Sequence, residues 1–293
     1  MKIKIIGIGG ASGNILKYIA NKNPKNIELI YMDTNIQALN NNNISKKIEL
    51  NIDLTNENID KIKKNLKNSD IVFIIAGMGN ETGTKISPII AKMAKEITSL
   101  TISVVTTPFK REGIKRMEIA QNGIKELQKN SDALILLSNQ KLLSTMDKSV
   151  TLSQLFNKMN EIFYQSIISI TNMVDNKENN ISIDLDDLKK VFSHKGITLS
   201  TSSHTKGENS ALKAFNEILN SPFFEDNKIY LAKSLIINIT TNEHYRLIDI
   251  DEAQEKVLGD IIDNEEIDII MGMETDNNLS DDEIIITILA SGI

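Results

Sequence analysis

The chain contains no cysteine. Disulfides and thiolate metal sites are therefore excluded, and a reducing, cytoplasmic setting is expected. Basic excess is missing too. The net charge is −6 over 293 residues, which argues against a broad surface for nucleic acid. No apolar stretch reaches the roughly 18 residues that a membrane span needs, so direct membrane insertion is not expected. Residues Met1–Ile6 enter a strand pattern at once and leave no room for a signal peptide. The three histidines, His194, His204 and His244, lack ligand spacing. They read as structural, and no protein metal site is expected. Internal repeats are absent. What remains is 41% hydrophobic and 25% charged, an ordinary globular composition with length enough for two domains.

The first half alternates strand and helix patterns, as a doubly wound parallel sheet does. Strands are predicted at Ile3–Ile8, Ile27–Met32, Ile71–Ile75, Ile102–Val105 and Leu134–Leu137, with helices near 13–22, 57–67, 84–97 and 111–129. A long amphipathic helix follows at about 151–174. Leu152, Leu155, Phe156, Met159, Ile162, Phe163, Ile167, Ile170 and Val174 recur there at helical spacing. The polar run Asp175-Asn176-Lys177-Glu178-Asn179-Asn180 marks a boundary. The pattern predicts an α/β domain over 1–174 that includes the long helix, then a smaller α+β domain with a mixed sheet over 175–293. In the second domain, helices are predicted at Leu185–His194 and near 208–219 and 249–262. Strand segments are predicted around Ile197–Ser203 and at Leu235–Thr240 and Ile284–Leu289, with a further apolar segment at Ile267–Met273.

Two glycine-bearing loops carry the chemistry. Ala76-Gly77-Met78-Gly79-Asn80-Glu81-Thr82-Gly83-Thr84-Lys85 lies between a buried strand and a helix. That geometry offers free backbone N–H groups and a positive dipole end to a phosphate. Gly77, Gly79 and Gly83 permit close approach, and Thr82 and Thr84 add hydroxyls. Gly7-Ile8-Gly9-Gly10-Ala11-Ser12-Gly13-Asn14 makes a similar turn after the first strand. Asp33, at the end of the second strand, occupies the place of the ribose-binding acid in a Rossmann dinucleotide site, so an NAD-dependent oxidoreductase is one reading. A dinucleotide site needs one such loop, however. Two on successive strands suggest a triphosphate held from both sides.

Taken together the loops resemble the tubulin/FtsZ superfamily, and within it the FtsZ branch, nearly end to end. The family motif Gly-Gly-Gly-Thr-Gly-Thr-Gly has its counterpart in Gly79-Asn80-Glu81-Thr82-Gly83-Thr84-Lys85. Further matches are Ala76-Gly77-Met78-Gly79, Val105-Thr106-Thr107-Pro108-Phe109 with Glu112-Gly113, Asn139-Gln140-Lys141-Leu142-Leu143, and Gly207-Glu208-Asn209. The resemblance implies GTP or GDP as ligand, with Mg²⁺ bound through the nucleotide. Gly9, Gly10, Ala11, Asn14, Gly77, Gly79, Asn80, Glu81, Thr82, Gly83 and Thr84 would surround the phosphates and neighbouring groups. Glu112 and Arg116 match the acid and base used around the ribose and guanine, and Asn139 would reach the sugar or base. Phe156 would stack on guanine while Asn160 bonds its edge. Spacing alone puts that aromatic and that amide on one helix face, and burial in the core is the alternative for Phe156.

Ser182-Ile183-Asp184-Leu185-Asp186-Asp187 aligns with the family's Asn-x-Asp-x-x-Asp loop. In the family that loop enters the neighbouring subunit's nucleotide pocket and orients the attacking water. Asp184 and Asp187, with Ser182 in place of the asparagine, are the catalytic candidates. Acidic N-capping explains their position equally well.

Three departures stand out. Glu81 replaces a glycine beside the terminal phosphates, where like charges about 4 Å apart cost roughly 1–4 kcal/mol. Lys85, four residues on, either neutralises it or reaches the phosphate itself. Between Asp33 and Asp70 there is no glycine, where the family has a Gly/Ala-rich loop that senses the γ-phosphate. GTP and GDP affinities are therefore expected to lie closer together than the family norm. The linker and terminal peptide that bind membrane anchors have no counterpart. The expected function is an FtsZ-like GTPase in cell division or membrane remodelling, assembling with itself head to tail and hydrolysing GTP between subunits. Another FtsZ or a membrane-linking protein is a further expected partner. The alternative is a weakly binding or non-hydrolysing paralogue that acts as a scaffold or co-assembly partner.

Overall fold

A computed structural model describes residues 1–175 and 181–293. The chain divides into two compact units, Met1–Tyr164 and Gln165–Ile293. Residues 176–180, most of the polar run, lie outside the described residues.

The first unit is built on a six-stranded sheet. Its strands are β1 Ile3–Ile8, β2 Ile27–Asp33, β3 Lys46–Glu49, β4 Ile71–Gly77, β5 Leu100–Thr107 and β6 Ala133–Ser138. They are parallel throughout and ordered β3-β2-β1-β4-β5-β6. The helices are α1 Gly10–Asn21, α2 Ile36–Asn40, α3 Asn56–Leu66, α4 Glu81–Ile97, α5 Ile114–Asn130 and α6 Asn139–Thr145. This is the expected doubly wound arrangement. Every residue of β1 is buried and β4 is buried up to Gly77, which is why both read as continuous apolar runs. Lys4 is the polar member of β1; its Nζ donates to the carbonyls of Asn65 at 2.6 Å and Lys67 at 2.8 Å. Ile6, Ile8, Val72 and Ile74 join Ile86, Ile90 and Ala94 of α4 in one core.

Strand order reverses between β1 and β4. In open α/β sheets, that point leaves a crevice beyond the carboxyl ends of the strands. Both glycine-bearing loops follow these two neighbouring strands, so topology alone brings them together.

Helix α7, Leu152–Asp175, runs from the first unit into the second. Its buried apolar positions include Leu155, Met159, Phe163, Ile167, Ile170 and Met173, at helical spacing. The second unit adds α8 Leu185–Phe192, α9 Ser210–Leu219 and α10 Leu247–Ile262. Its strands are β7 Leu199–Lys206, β8 Ser234–Thr241, β9 Asp268–Thr275 and β10 Glu283–Ser291, ordered β7-β10-β8-β9. β10 is antiparallel to β7 and β8, and β8 is parallel to β9, which gives the expected mixed sheet. Phe215, Leu235, Ile237 and Ile286 are among the residues of its own core. Among the described residues no helix is long and apolar enough to cross a membrane.

Candidate functional site

Helices α1 and α4 both begin at the reversal point without a side-chain cap. Gly9, before α1, has φ +80°, and Gly79, before α4, has φ +96°, a region that favours glycine. A helix start without a capping side chain keeps its first N–H groups available to an anion. The loops are also in close contact. A Cβ on Gly77 would stand 2.8 Å from that of Ala11, and one on Gly83 would stand 2.6 Å from the Gly77 carbonyl oxygen.

Two adjoining cavities open here. The smaller, about 320 Å³, is lined by Gly9, Gly10, Ala11, Gly77, Asn80, Glu81, Thr82 and Gly83, together with Ile8, Asp33, Thr34, Asn35 and Ala38. The larger, about 590 Å³, shares Gly10 and Ala11 and extends along α1 and α7 past Asn14, Tyr18, Asn139, Phe156 and Asn160. One end is thus rich in backbone donors, and the other offers an aromatic ring and several amides. Phe156 is 46% exposed, which excludes a core role. Its ring meets Phe109 edge to face at 6.4 Å.

Four of the predicted nucleotide residues do not line either cavity and instead brace the loops. Thr84 Oγ1 accepts from the Gly79 N–H at 2.9 Å. Gly79 packs against Pro108 and Arg116. Arg116 pairs with Glu112 at 2.7 Å and donates to Asn80, and the Phe109 N–H donates to Glu112 at 2.7 Å. Glu112 and Arg116 therefore tie the loop after β4 to the loop after β5. Arg116 Nε is buried and has no partner among the described residues.

The loop after β2 is closed by its own bonds. Asp33 accepts from the Tyr31 hydroxyl at 2.6 Å and the Asn35 N–H at 3.1 Å, and is 3% exposed. Burial, together with that bond to Asp33, raises the pKa of the Tyr31 phenol. Each Asp33 oxygen thus already accepts one hydrogen bond from its own strand and loop, which weakens the NAD reading. Thr34 and Thr82 share a hydroxyl–hydroxyl bond at 2.8 Å across the smaller cavity's rim.

Tyr18, Lys17, Asn21, Ser153 and Asn157 also line the larger cavity but were not predicted. Their spacing was legible: Asn14, Tyr18 and Asn21 fall on one face of α1, as Ser153, Phe156, Asn157 and Asn160 do on α7. A polar helix face otherwise reads as solvated.

The remaining candidates belong to the second unit. Asp184 caps α8: its Oδ1 accepts from the N–H groups of Asp186 at 2.8 Å and Asp187 at 2.9 Å. Asp187 Oδ2 accepts from the Asp184 N–H at 2.9 Å, closing a reciprocal box. Each carboxylate keeps its second oxygen out of the box. Ser182 is exposed.

The chain is similar to known proteins along nearly its whole length. Residues 2–147 match the model of the Tubulin/FtsZ family GTPase domain, and residues 196–293 match that of the FtsZ family C-terminal domain. The cell division protein FtsZ of Buchnera aphidicola is 32% identical over 99% of this chain and 79% of its own length. The FtsZ of Coxiella burnetii is 32% identical over 100% of this chain and 79% of its own length. Among solved structures, an empty FtsZ dimer from M. jannaschii matches with a TM-score of 0.82 at 27% identity, covering 99% of this chain and 88% of that one. The chain belongs to the FtsZ family of cell-division GTPases, within the tubulin/FtsZ superfamily.

Proposed function

We propose that the chain binds a guanine nucleotide across its two adjoining cavities, polymerises head to tail and hydrolyses GTP where subunits meet. The observation that carries this reading is the pair of uncapped helix starts, α1 and α4, beside a cavity that exposes an aromatic ring. The base would lie against Phe156, with Asn160 and Asn139 at its edges. The phosphates would extend over Gly10 and Ala11 toward Thr82 and Gly83, meeting backbone N–H groups and the positive ends of two helices. Mg²⁺, bound through the nucleotide, would supply charge neutralisation on the phosphates. Thr34 and Thr82 supply the hydroxyls at that end; one donates to the other, which leaves one O–H for a phosphate.

The water-orienting groups would be Asp184 and Asp187, supplied by the next subunit. Each has one oxygen fixed by the capping box and one available, so the box would fix the direction of both carboxylates before a partner arrives. Asp187→Asn keeps an acceptor for the Asp184 N–H while removing the charge. Nucleotide binding is expected to stay within about two-fold while phosphate release falls about 100-fold or more. Undiminished release would refute the assignment. The capping box also favours a second reading, a non-hydrolysing scaffold in which these acids only start α8; no turnover in the parent chain at any concentration would support it.

A further inference from the structure

The two compact units carry opposite charge. Residues 1–164 hold 23 lysines and arginines against 15 acids, and residues 165–293 hold 10 against 24. The chain's net −6 thus divides into +8 and −14. An imbalance of that size sets up a field that an approaching molecule meets before any close contact forms.

The imbalance is also local. In the first unit, Glu81 binds Lys85 at 2.8 Å and Glu112 binds Arg116 at 2.7 Å, so these two acids beside the cavities are matched. Lys110, Arg111 and Lys115 are not. They lie in the turn after β5 and the first turn of α5, are exposed, and pair with no acid among the described residues. Arg111 sits 5.1 Å over the ring of Phe109, which meets the cavity-lining Phe156. In the second unit, a cleft of about 680 Å³ opens where β7 and β8 end and β10 begins. Glu208, Glu252 and Asp281 line it, exposed and without a paired cation among the described residues. Of the cleft's cations, Arg246 is taken by Asp249 at 3.5 Å, which leaves Lys256. The same end of that sheet holds the start of α8, since Ile181 bridges Met273 near the end of β9.

We propose that this division of charge decides how copies of the chain join. The negative end of one copy's second unit docks on the positive end of the next copy's first unit, with the cleft facing Lys110, Arg111 and Lys115. The inference rests on the assembly reading above and deepens it, naming what selects the contact and what weakens it. A head-to-tail contact brings unlike charges together, whereas a two-fold contact of either end with itself brings like charges together. Repulsion therefore rejects the closed dimer while attraction favours the open filament. The same charges make assembly sensitive to salt, which screens exposed groups beyond about 10 Å at about 0.1 M.

The test follows filament formation by sedimentation, with a non-hydrolysable GTP analogue and Mg²⁺ present, from about 50 to about 500 mM salt. The threshold concentration of the parent chain is expected to rise about ten-fold or more over that range. At low salt, a variant carrying Glu252→Lys and Asp281→Lys should need about ten-fold more protein to assemble. Its GDP affinity should stay within about two-fold, since neither residue lines the nucleotide cavities. Adding Lys110→Glu and Lys115→Glu to that variant restores unlike charges across the contact, and should return the threshold to within about three-fold of the parent. A parent threshold that ignores salt, or an unaltered threshold in the Glu252→Lys, Asp281→Lys protein, would overturn the inference while leaving assembly standing. The cleft would then belong to another partner. A combined variant that assembles no better than the first would overturn the pairing of these two surfaces. If the parent forms no filament at any salt, the assembly reading itself falls, and the inference with it.

Discussion

Gly10 is the residue on which the site can be probed with least disturbance. It lines both cavities, and a Cβ built there meets nothing within 4 Å. It is also the first residue of α1 and is not among the positive-φ glycines, so a side chain is conformationally acceptable. Gly10→Leu should fill the shared part of the two cavities and abolish guanine nucleotide binding, with the melting temperature unchanged or slightly raised by the better helix former. Retained nucleotide affinity, measured by titration, would remove these cavities as the binding site. Phe156 and Asp33 show how far single residues were legible. Their types and spacing were plain, but whether Phe156 was buried depended on tertiary packing, and whether Asp33 was free depended on where the side chain of Tyr31, two residues away, comes to lie. Phe109 supplies the first answer and Tyr31 the second.

Among the elements, the buried strands and the long helices were readable because burial on both faces, or on one stripe, leaves a clear pattern. The short ones were not. β3 has four residues, KKIE, of which only Ile48 is buried, and it pairs along one side with β2. α2 has five residues, starts from an Asn35 cap and buries only Leu39. The glycine-free stretch after Asp33 therefore holds a small helix, a strand and a second helix rather than one open loop. α6 was recognised as a motif at Asn139–Leu143 but not as a helix, because seven residues are too few to show a period.

Helix α4 lines the smaller cavity with its first turn, and its fit against α5 is tight. A Cβ on Gly123 would fall 2.2 Å from Thr84 Cγ2 and 2.9 Å from Met78 Cε. Thr84 cannot simply rotate, since its hydroxyl holds the Gly79 N–H. Gly123→Ala should therefore destabilise the protein by about 1–3 kcal/mol through overpacking, although alanine favours helix. At roughly 2–4 °C per kcal/mol for a body of this size, a thermal melt would show it. An unchanged or raised melting temperature would mean that α4 and α5 can separate freely.

At the scale of the whole molecule, the residues that line the two cavities all fall in the first unit, and Ser182, Asp184 and Asp187 fall in the second. The change from strand–helix alternation to a mixed pattern puts the sequence boundary after residue 174, whereas the compact units part between Tyr164 and Gln165. The sequence did not show the assembly, because an acidic capping box on a single chain is the same object whether or not a neighbour uses it. The central claim is that one copy completes another's active site. Phosphate release from GTP, measured per molecule across a range of protein concentrations, tests this most directly. The account expects almost no release below a threshold concentration and a rising rate above it. Release at a constant rate per molecule down to the lowest concentration would contradict it, since a lone chain would then hold every group that the reaction needs.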